Sequence, residues 1–325
     1  MSQSSITYRT VPIDGVNVFY RERGPVDGPA VLLLHGFPSA SHQFQRLIES
    51  FPGHFRVVAP DYPGFGRSDA PESRSGGGTF TYSFDQLSDV MERFCEAVGL
   101  TRFLMYVFDY GAPVGFRLAQ RRTEWISGLV IQNANAYEEG LGEMARELIA
   151  LRPDRPGDED KILGVLAPEA VRAQYLTGVS DPTRMAPEAW VLDSAYLGLP
   201  GRKQGQVELA FDYASNIALY PAWQAWLRRH KPPTLIVWGR NDPFFTQAGA
   251  LAYQRDLPEA EVHLFPTGHF ALEEKLHRIA PLVIAFTEEV TARERDRIVL
   301  AALSGAQVGD KTQPHSAPIA SAAGS

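Results

Sequence analysis

The sequence predicts an α/β fold in which a mostly parallel β-sheet is flanked by helices and a helical segment is inserted between two sheet strands. Short, almost continuous apolar runs alternate with helical patterns up to about residue 133, which indicates βαβ units and a sheet covered on both faces. The alternation stops between about residues 137 and 229, where the pattern is helical and punctuated by proline. A buried strand pattern resumes at residue 233.

The elements follow in a clear order along the chain. Alternating polar and apolar residues from 6 to 21, broken by Asp14-Gly15, predict an antiparallel hairpin at the start of the sheet. We expect residues 1–136 and 230–303 to form the core and residues 137–229 to form a lid over the carboxyl edge of the sheet. Residues 304–325 are rich in Gly, Ser, Ala and Pro, which predicts a disordered tail.

Composition excludes several classes of function. The net charge of −7, with no basic stripe, argues against nucleic-acid binding. The single cysteine, Cys95, excludes an intrachain disulfide and lies in an amphipathic pattern typical of core packing. No zinc or iron–sulfur spacing occurs, and no signal segment or bilayer-length apolar run is found. We expect a cytoplasmic protein without metal, cofactor, nucleic acid or membrane, acting on a small apolar or amphipathic substrate; a homodimer is left open.

The most informative segment is 103–115, an apolar strand pattern that turns sharply into a helix with Asp109 at the apex. Gly111 and Gly115 provide the small residues that a tight turn and close helix packing need, and Pro113 suits a first helical turn. A carboxylate at this apex displaces a leaving group from saturated carbon and forms an alkyl ester that water then cleaves. Epoxides and alkyl halides are the substrates suited to this reaction. From this segment alone, an Asp that caps the next helix is the simpler interpretation, so the rest of the chain has to decide.

A second segment, His35-Gly36-Phe37-Pro38, follows the apolar strand 31–34. In a strand–turn–helix site of this kind, the loop after a neighbouring strand supplies one oxyanion-hole N–H, and the residue after the nucleophile supplies the other. We therefore assign the hole to the backbone N–H groups of Phe37 and Tyr110. Gly36 allows close approach to the substrate, and Pro38 fixes the turn, as a cis peptide in one interpretation. We expect the three residues that flank Phe37, namely His35, Gly36 and Pro38, to lie in the substrate pocket. An ordinary Gly-Pro loop is the alternative.

The remaining catalytic candidates lie near the C-terminus. Asp242 follows the apolar strand 233–239, and His269 follows the strand 261–265, so nucleophile, acid and histidine occur in the order used at such elbows. We expect His269 to activate water, with Asp242 orienting its ring. Of the eight histidines, only His269 combines this position with a loop after a strand. Glu138 or Glu139 is the alternative acid.

Together, His35-Gly36-Phe37-Pro38, the Asp-x-Gly elbow, residues 238–242 and residues 268–270 resemble the epoxide hydrolase and haloalkane dehalogenase branch of the α/β-hydrolase superfamily. The resemblance spans about residues 7–303 and implies the α/β-hydrolase fold and a covalent alkyl-enzyme. Two positions depart from the family pattern. Val107 stands where the elbow usually carries a small residue, and Tyr110 stands where this branch often has tryptophan.

The reaction depends on what stabilises the leaving group. An epoxide hydrolase needs proton donors for an alkoxide, and tyrosine hydroxyls in the lid suit that task. Residues 211–216 resemble the lid helix that carries one such tyrosine in epoxide hydrolases. Tyr213 is therefore the first candidate donor, Tyr175 the second and Tyr137 the third.

Dehalogenation is the alternative, because indole N–H groups in the lid can hold a halide. Trp190 and Trp223 are the candidates, with pocket lining as their simpler role. Tyr110 in place of tryptophan favours the epoxide. A ligand-binding protein without turnover is a third hypothesis, which the intact set of Asp109, Asp242 and His269 disfavours.

Overall fold

The computed structural model describes residues 5–309, and the strands in this part form one eight-stranded sheet. The order across the sheet is β1-β2-β4-β3-β5-β6-β7-β8. The strands are β1 (Thr7–Ile13), β2 (Val16–Arg23), β3 (Ala30–Leu34), β4 (Arg56–Pro60), β5 (Phe103–Phe108), β6 (Ile126–Gln132), β7 (Thr234–Gly239) and β8 (Glu261–Phe265).

The sheet is parallel except at one edge. β1 pairs with β2 in antiparallel register, as the hairpin prediction required, and β2 pairs antiparallel with β4. Every pairing from β4 to β8 is parallel. The carboxyl ends of β3, β5, β6, β7 and β8 therefore meet at one edge of the sheet, where loops from distant parts of the sequence come together.

Helices flank the sheet and interrupt it once. They are α1 (Gln45–Ser50), α2 (Phe84–Ala97), α3 (Gly111–Arg121), α4 (Glu143–Ile149), α5 (Asp158–Val165), α6 (Pro168–Leu176), α7 (Glu188–Leu197), α8 (Arg202–Asp212), α9 (Ala214–His230), α10 (Gln247–Ala252) and α11 (Ala271–Gly309). Helices α4 to α9 lie between β6 and β7 in sequence, and we call them the inserted helices. The predicted fold class, a mostly parallel sheet flanked by helices, is confirmed.

The central strands have a hydrophobic core on each face. Alternate residues of β5 fall into different cores: Met105 and Val107 pack with α2 and α3, whereas Leu104 and Tyr106 pack with α1 and α11. This alternation follows from the two-residue period of a strand. Cys95 on α2 is fully buried in the first core, as predicted.

The C-terminal helix is longer than the sequence suggested. α11 continues to Gly309, six residues into the segment predicted to be a tail, and the rest of that segment, 310–325, lies outside the described residues. In the described part of the chain, we find no helix with the length and apolar character to cross a bilayer.

Candidate active site

Asp109 occupies a sharp turn between β5 and α3. Its φ is +49°, in the left-handed region that residues with a side chain rarely adopt. Two glycines leave room for this turn: a Cβ on Gly36 would lie 2.3 Å from the Asp109 Cβ, and one on Gly111 would lie 2.4 Å from the carbonyl oxygen of Leu34. The turn therefore directs the Asp109 carboxylate out of the sheet, toward the loop after β3.

The structure also shows how the elbow tolerates Val107. A Cβ on Gly115 would lie 2.8 Å from the Val107 Cγ1 and about as close to Met105. The missing side chain of Gly115 on α3 therefore leaves the space that the Val107 side chain on β5 occupies.

One oxygen of Asp109 occupies the predicted oxyanion hole. The Phe37 N–H donates to Asp109 Oδ1 at 2.6 Å, and the Tyr110 N–H also hydrogen-bonds the carboxylate. The Phe37–Pro38 peptide bond is cis. Both predicted donors therefore reach the carboxylate, with Oδ1 held by the Phe37 N–H and Oδ2 on the side of His269.

His269 and Asp242 complete a buried relay. His269 Nε2 lies 3.7 Å from Asp109 Oδ2, and His269 Nδ1 lies 2.7 Å from Asp242 Oδ2. Asp242 is fixed from three further directions: Asn133 Nδ2 donates to Oδ2 at 2.8 Å, and the N–H groups of Phe244 and Phe245 donate to Oδ1 at 2.7 and 3.1 Å. The distance from His269 Nε2 to Asp109 Oδ2 is longer than a direct hydrogen bond.

The alternative acids lie elsewhere. Glu139 is exposed and forms an ion pair with Arg255, and Glu138 is exposed on the same turn. Of the three candidate acids, Asp242 is the one that contacts the His269 ring.

Burial and neighbouring charges act in opposite directions on the pKa values of Asp109 and His269. Burial raises the pKa of Asp109 to about 6, although His269 and the N–H groups of Phe37 and Tyr110 act in the other direction. Burial lowers the pKa of His269, but the nearby Asp242 and Asp109 carboxylates outweigh it and raise that pKa above its ordinary value. A histidine whose ring is oriented by a carboxylate at Nδ1 has Nε2 available to act as a general base.

A largely apolar cavity lies above Asp109 and His269. Aliphatic and aromatic side chains from the inserted helices and the Asp242 loop form most of its wall. The lining residues are Phe37, Asp109, Tyr110, Ala145, Leu148, Ile149, Ile162, Val165, Leu166, Gln174, Gln206, Ala210, Tyr213, Phe244, Phe245 and His269.

Tyr213 lies in this cavity, at the junction of α8 and α9. Its ring packs edge-on against Phe84, 5.7 Å between centroids, and it lies 5.9 Å from the Tyr110 ring. Burial raises the pKa of the Tyr213 hydroxyl well above its ordinary value, with Tyr220 and the charge of Asp109 adding to the effect. The hydroxyl therefore remains protonated, hydrogen-bonded to Tyr220, and able to donate.

The other two tyrosine candidates are placed away from the cavity. The Tyr175 hydroxyl donates to Asp193 Oδ2 at 2.5 Å, and the Tyr137 hydroxyl donates to Asp256 Oδ2 at 2.7 Å. Neither lines the cavity. The assignment of Tyr175 as the second donor is therefore wrong, because its hydroxyl is committed to a buried carboxylate.

The tryptophans predicted to line the pocket are also elsewhere. Trp223 is fully buried against Phe116, with 5.4 Å between ring centroids, and Trp190 packs near Tyr175. Both lie outside the lining of the cavity, so their assignment to the substrate pocket is wrong.

The loop residues beside Phe37 support the site from behind. His35 is fully buried, its Nε2 accepts a hydrogen bond from the Tyr62 N–H at 3.1 Å, and burial lowers its pKa to about 4. Gly36 lies against Asp109, and Pro38 follows the cis bond. None of the three lines the cavity, so these residues shape the oxyanion loop and do not form the pocket as predicted.

Sequence reasoning missed several residues of the site. Asn133 has a φ of +40° directly after β6, and its side chain bonds both Asp242 and the backbone of Gly239. Its position at the carboxyl end of a strand was a usable signal. Gln174, Gln206 and the aliphatic wall from α4 and α5 carried no signal, because which face of a short helix points inward depends on tertiary packing.

Comparison with known proteins identifies the family. The model of the α/β-hydrolase fold family matches residues 29–276. The chain belongs to this family. It is 41% identical to an uncharacterized hydrolase of Saccharomyces cerevisiae over 85% of this chain and 95% of that protein.

More distant curated relatives have named activities. A cis-3-alkyl-4-alkyloxetan-2-one decarboxylase of Xanthomonas campestris is 27% identical, over 84% of this chain and 93% of that protein. A haloalkane dehalogenase of Mycobacterium marinum is 28% identical, over 72% of this chain and 75% of that protein.

Solved structures agree on the fold. A haloalkane dehalogenase of Bradyrhizobium elkani has a TM-score of 0.74 at 21% identity, covering 89% of this chain and all of that one. An epoxide hydrolase has a TM-score of 0.70 at 18% identity, covering 88% of this chain and all of that one. Both similarities show the α/β-hydrolase fold.

Proposed function

We propose that this hydrolase is an epoxide hydrolase that opens the ring with Asp109 and releases a vicinal diol. The observation that carries the proposal is the Tyr213 hydroxyl, a buried neutral donor in the same cavity as Asp109. No indole lines this cavity in the described part of the chain, so the group typical of halide binding is missing there.

The first step forms the alkyl ester. Asp109 Oδ2, the oxygen on the side of His269, attacks a ring carbon of the epoxide and breaks its bond to oxygen. The ring oxygen becomes an alkoxide and takes a proton from the Tyr213 hydroxyl, which later regains one from solvent. Because negative charge develops on that oxygen, the hydrogen bond from Tyr213 strengthens in the transition state.

The second step cleaves the ester. His269 Nε2 takes a proton from a water that attacks Asp109 Cγ, while Asp242 stabilises the imidazolium that forms. The ester carbonyl is Oδ1, which already lies on the Phe37 N–H, so the hole is placed for the tetrahedral oxyanion. Collapse breaks the bond to the diol oxygen, which takes the proton from His269. The Asp109 carboxyl then loses to solvent the proton that it kept from water, which balances the one that Tyr213 regains and restores the carboxylate.

Dehalogenation is the second candidate, since curated relatives over most of the chain are named haloalkane dehalogenases. The same Asp109 and His269 would serve, and the halide would leave without a proton. The two reactions differ in what Tyr213 contributes, because a halide is a weak base and an alkoxide is a strong one.

The test compares Tyr213→Phe with the wild type in single-turnover reactions on a small alkyl epoxide and on a haloalkane of similar size. Removing one donor of this kind costs about 2.7–4 kcal/mol, so ester formation from the epoxide should slow roughly a hundred- to thousandfold. Ester formation from the haloalkane should change little. Tyr137→Phe is the matched control, because it removes a buried hydroxyl that bonds Asp256 outside the cavity.

Diol formation without halide release by the wild type, lost in Tyr213→Phe and kept in Tyr137→Phe, supports the proposal. Halide release from the haloalkane with no diol from the epoxide would establish the second candidate. Tight binding of both substrates with no ester intermediate would indicate a binding protein.

A further inference from the structure

One of the buried carboxylates outside the cavity, Asp193, lies on the inserted helix α7. Asp193 is completely inaccessible to solvent. Desolvating a carboxylate is costly unless it is paired and hydrogen-bonded, so the groups around Asp193 must hold it in place. These groups come from the inserted helix α6 and from the segment after β3, so Asp193 lies at the contact between the inserted helices and the core.

Four polar side chains lie together, and we call them the Asp193 cluster: Ser39, His42, Tyr175 and Asp193. Tyr175 on α6 donates to Asp193 Oδ2 at 2.5 Å, and its hydroxyl is also hydrogen-bonded to Ser39. His42 Nε2 lies 3.1 Å from Asp193 Oδ1 and 3.5 Å from the Ser39 hydroxyl. The cluster therefore joins two inserted helices to the segment that follows β3.

One side of the cluster reaches the catalytic base. The Tyr175 ring is stacked on Phe270 at 3.7 Å between centroids, with the planes 9° apart. Phe270 directly follows His269, and the two rings meet edge-on at 5.2 Å. Since the hydroxyl of Tyr175 is anchored by Asp193, the position of the Phe270 ring depends on that anchor.

The other side reaches the oxyanion loop. Ser39 lies two residues after Phe37, whose N–H holds Asp109 Oδ1, and His42 lies in the turn that follows. The same buried carboxylate thus contacts both loops of the site through different partners, although it does not touch the cavity.

We propose that Asp193 is a positioning residue, which uses Tyr175 to hold the His269 loop and His42 with Ser39 to hold the oxyanion loop once the inserted helices are packed on the core. In this arrangement Tyr175 positions the His269 loop and does not donate a proton to the substrate. The division into reaction steps rests on the proposed function, whereas the physical link between Asp193 and His269 does not.

The physical reason is geometric. A misplacement of about 1 Å at a reacting group can cost on the order of a hundredfold in rate. Asp193→Ala releases both loops, so ester formation and ester hydrolysis should each slow about 10- to 100-fold. Tyr175→Phe keeps the ring stack and removes only the anchor to Asp193, so it should slow mainly ester hydrolysis, by about tenfold.

The experiment measures these two rates by rapid quench, with thermal unfolding of each variant alongside. Asp158→Ala is the matched control, because Asp158 is a fully buried carboxylate of the inserted segment whose partners, the Lys161 side chain and the Arg152 N–H, belong to the same segment. Asp193→Asn keeps an oxygen to accept from Tyr175 and should recover most of the rate. Tyr175→Phe combined with Asp193→Ala should be no slower than Asp193→Ala alone.

A readout that needs no substrate separates this inference from the proposed function. The proton of the His269–Asp242 hydrogen bond, assigned by its loss in His269→Gln, is followed by NMR in the resting enzyme. It should shift or broaden in Asp193→Ala and Tyr175→Phe and stay unchanged in Asp158→Ala. If the enzyme turns over neither substrate, the proposed function fails, and the resonance still tests the link.

Two results would overturn the inference. One is an unchanged His269 resonance in both Asp193→Ala and Tyr175→Phe. The other is an Asp193→Ala variant that loses as much thermal stability as Asp158→Ala but forms and hydrolyses the ester at wild-type rates. Should Asp193→Ala fail to fold, Tyr175→Phe and Asp193→Asn carry the same comparison.

Discussion

Replacing Asp242 with Asn tests how the His269 ring is held. In the structure Asp242 Oδ1 accepts from the N–H groups of Phe244 and Phe245, and Oδ2 accepts from Asn133 and faces His269 Nδ1. An amide at this position can satisfy the two backbone donors with its oxygen. Its NH₂ group must then face His269 and Asn133, where two acceptor contacts existed.

The substitution therefore changes the tautomer of the histidine. With an NH₂ group opposite Nδ1, the neutral ring is stable with its proton on Nε2, the atom that must accept a proton from water. In a comparable serine-protease triad the same change lowers kcat about 10⁴-fold. At about 1.36 kcal/mol per tenfold, this corresponds to roughly 5 kcal/mol in the barrier of ester hydrolysis.

The two chemical steps should respond differently. Ester formation needs only the ionised Asp109 and the leaving-group donor, so its rate should stay within a few-fold of the wild type. Ester hydrolysis should fall by about 10⁴, so the alkyl-enzyme accumulates. Intact-protein mass spectrometry after mixing with a small epoxide should show the adduct persisting on Asp242→Asn.

Asp256→Asn is the matched control, since Asp256 is also a buried carboxylate but bonds Tyr137 and Arg228 away from His269. Its hydrolysis rate should match the wild type. A fall of less than tenfold in Asp242→Asn would refute the tautomer argument. Loss of ester formation together with hydrolysis would show that Asp242 holds Asp109 as well as the base.

Three further predictions concern Asp109 and its neighbour Gly36. A single turnover in ¹⁸O-labelled water should place the label in the Asp109 carboxylate, detected by peptide mass spectrometry, and label found only in the product would mean direct attack by water. The native pKa of Asp109 is about 6 against an ordinary 3.8, so the unfolded state loses this proton first and stability falls as the pH rises from about 4 to 6. Asp109→Asn removes this cost of ionisation. Relative to the wild type, its free energy of unfolding should therefore be higher at pH 8 than at pH 4, by at most about 3 kcal/mol. An equal difference between variant and wild type at both pH values in denaturant titrations would contradict this. Gly36→Ala should lower the rate of ester formation at least tenfold, because the new Cβ would lie 2.3 Å from the Asp109 Cβ and displace the nucleophile, while the far-UV circular dichroism stays unchanged. Wild-type rates in this variant would show that the loop moves aside without displacing Asp109.

Much of the fold and the centre of the site could be predicted from local sequence. Buried parallel strands are short apolar runs, and β3, β5 and β7 are located to within one residue on that basis. The carboxyl ends of parallel strands share one edge, so Asp109, Asp242 and His269 were expected together before any distance was known. Their approach to within 3.7 Å and 2.7 Å follows from this topology.

The inserted helices gave no such information. Tyr175 and Tyr213 are both buried tyrosines in helical sequence, yet one hydroxyl bonds Asp193 and the other lines the cavity. Helices α5 to α9 show no strong separation of polar and apolar faces, because they pack on the core, on each other and on the cavity at once.

The sequence by itself thus determined the sheet, the elbow and the chemical character of the nucleophile and its base, because each depends on residues adjacent in the chain or on strand order. Only the tertiary structure decided which side chains of the insertion face Asp109, and which, such as Trp190 and Trp223, pack elsewhere. The reason is that the direction of a side chain on a short helix is fixed by what the helix packs against, and those partners lie far away in sequence.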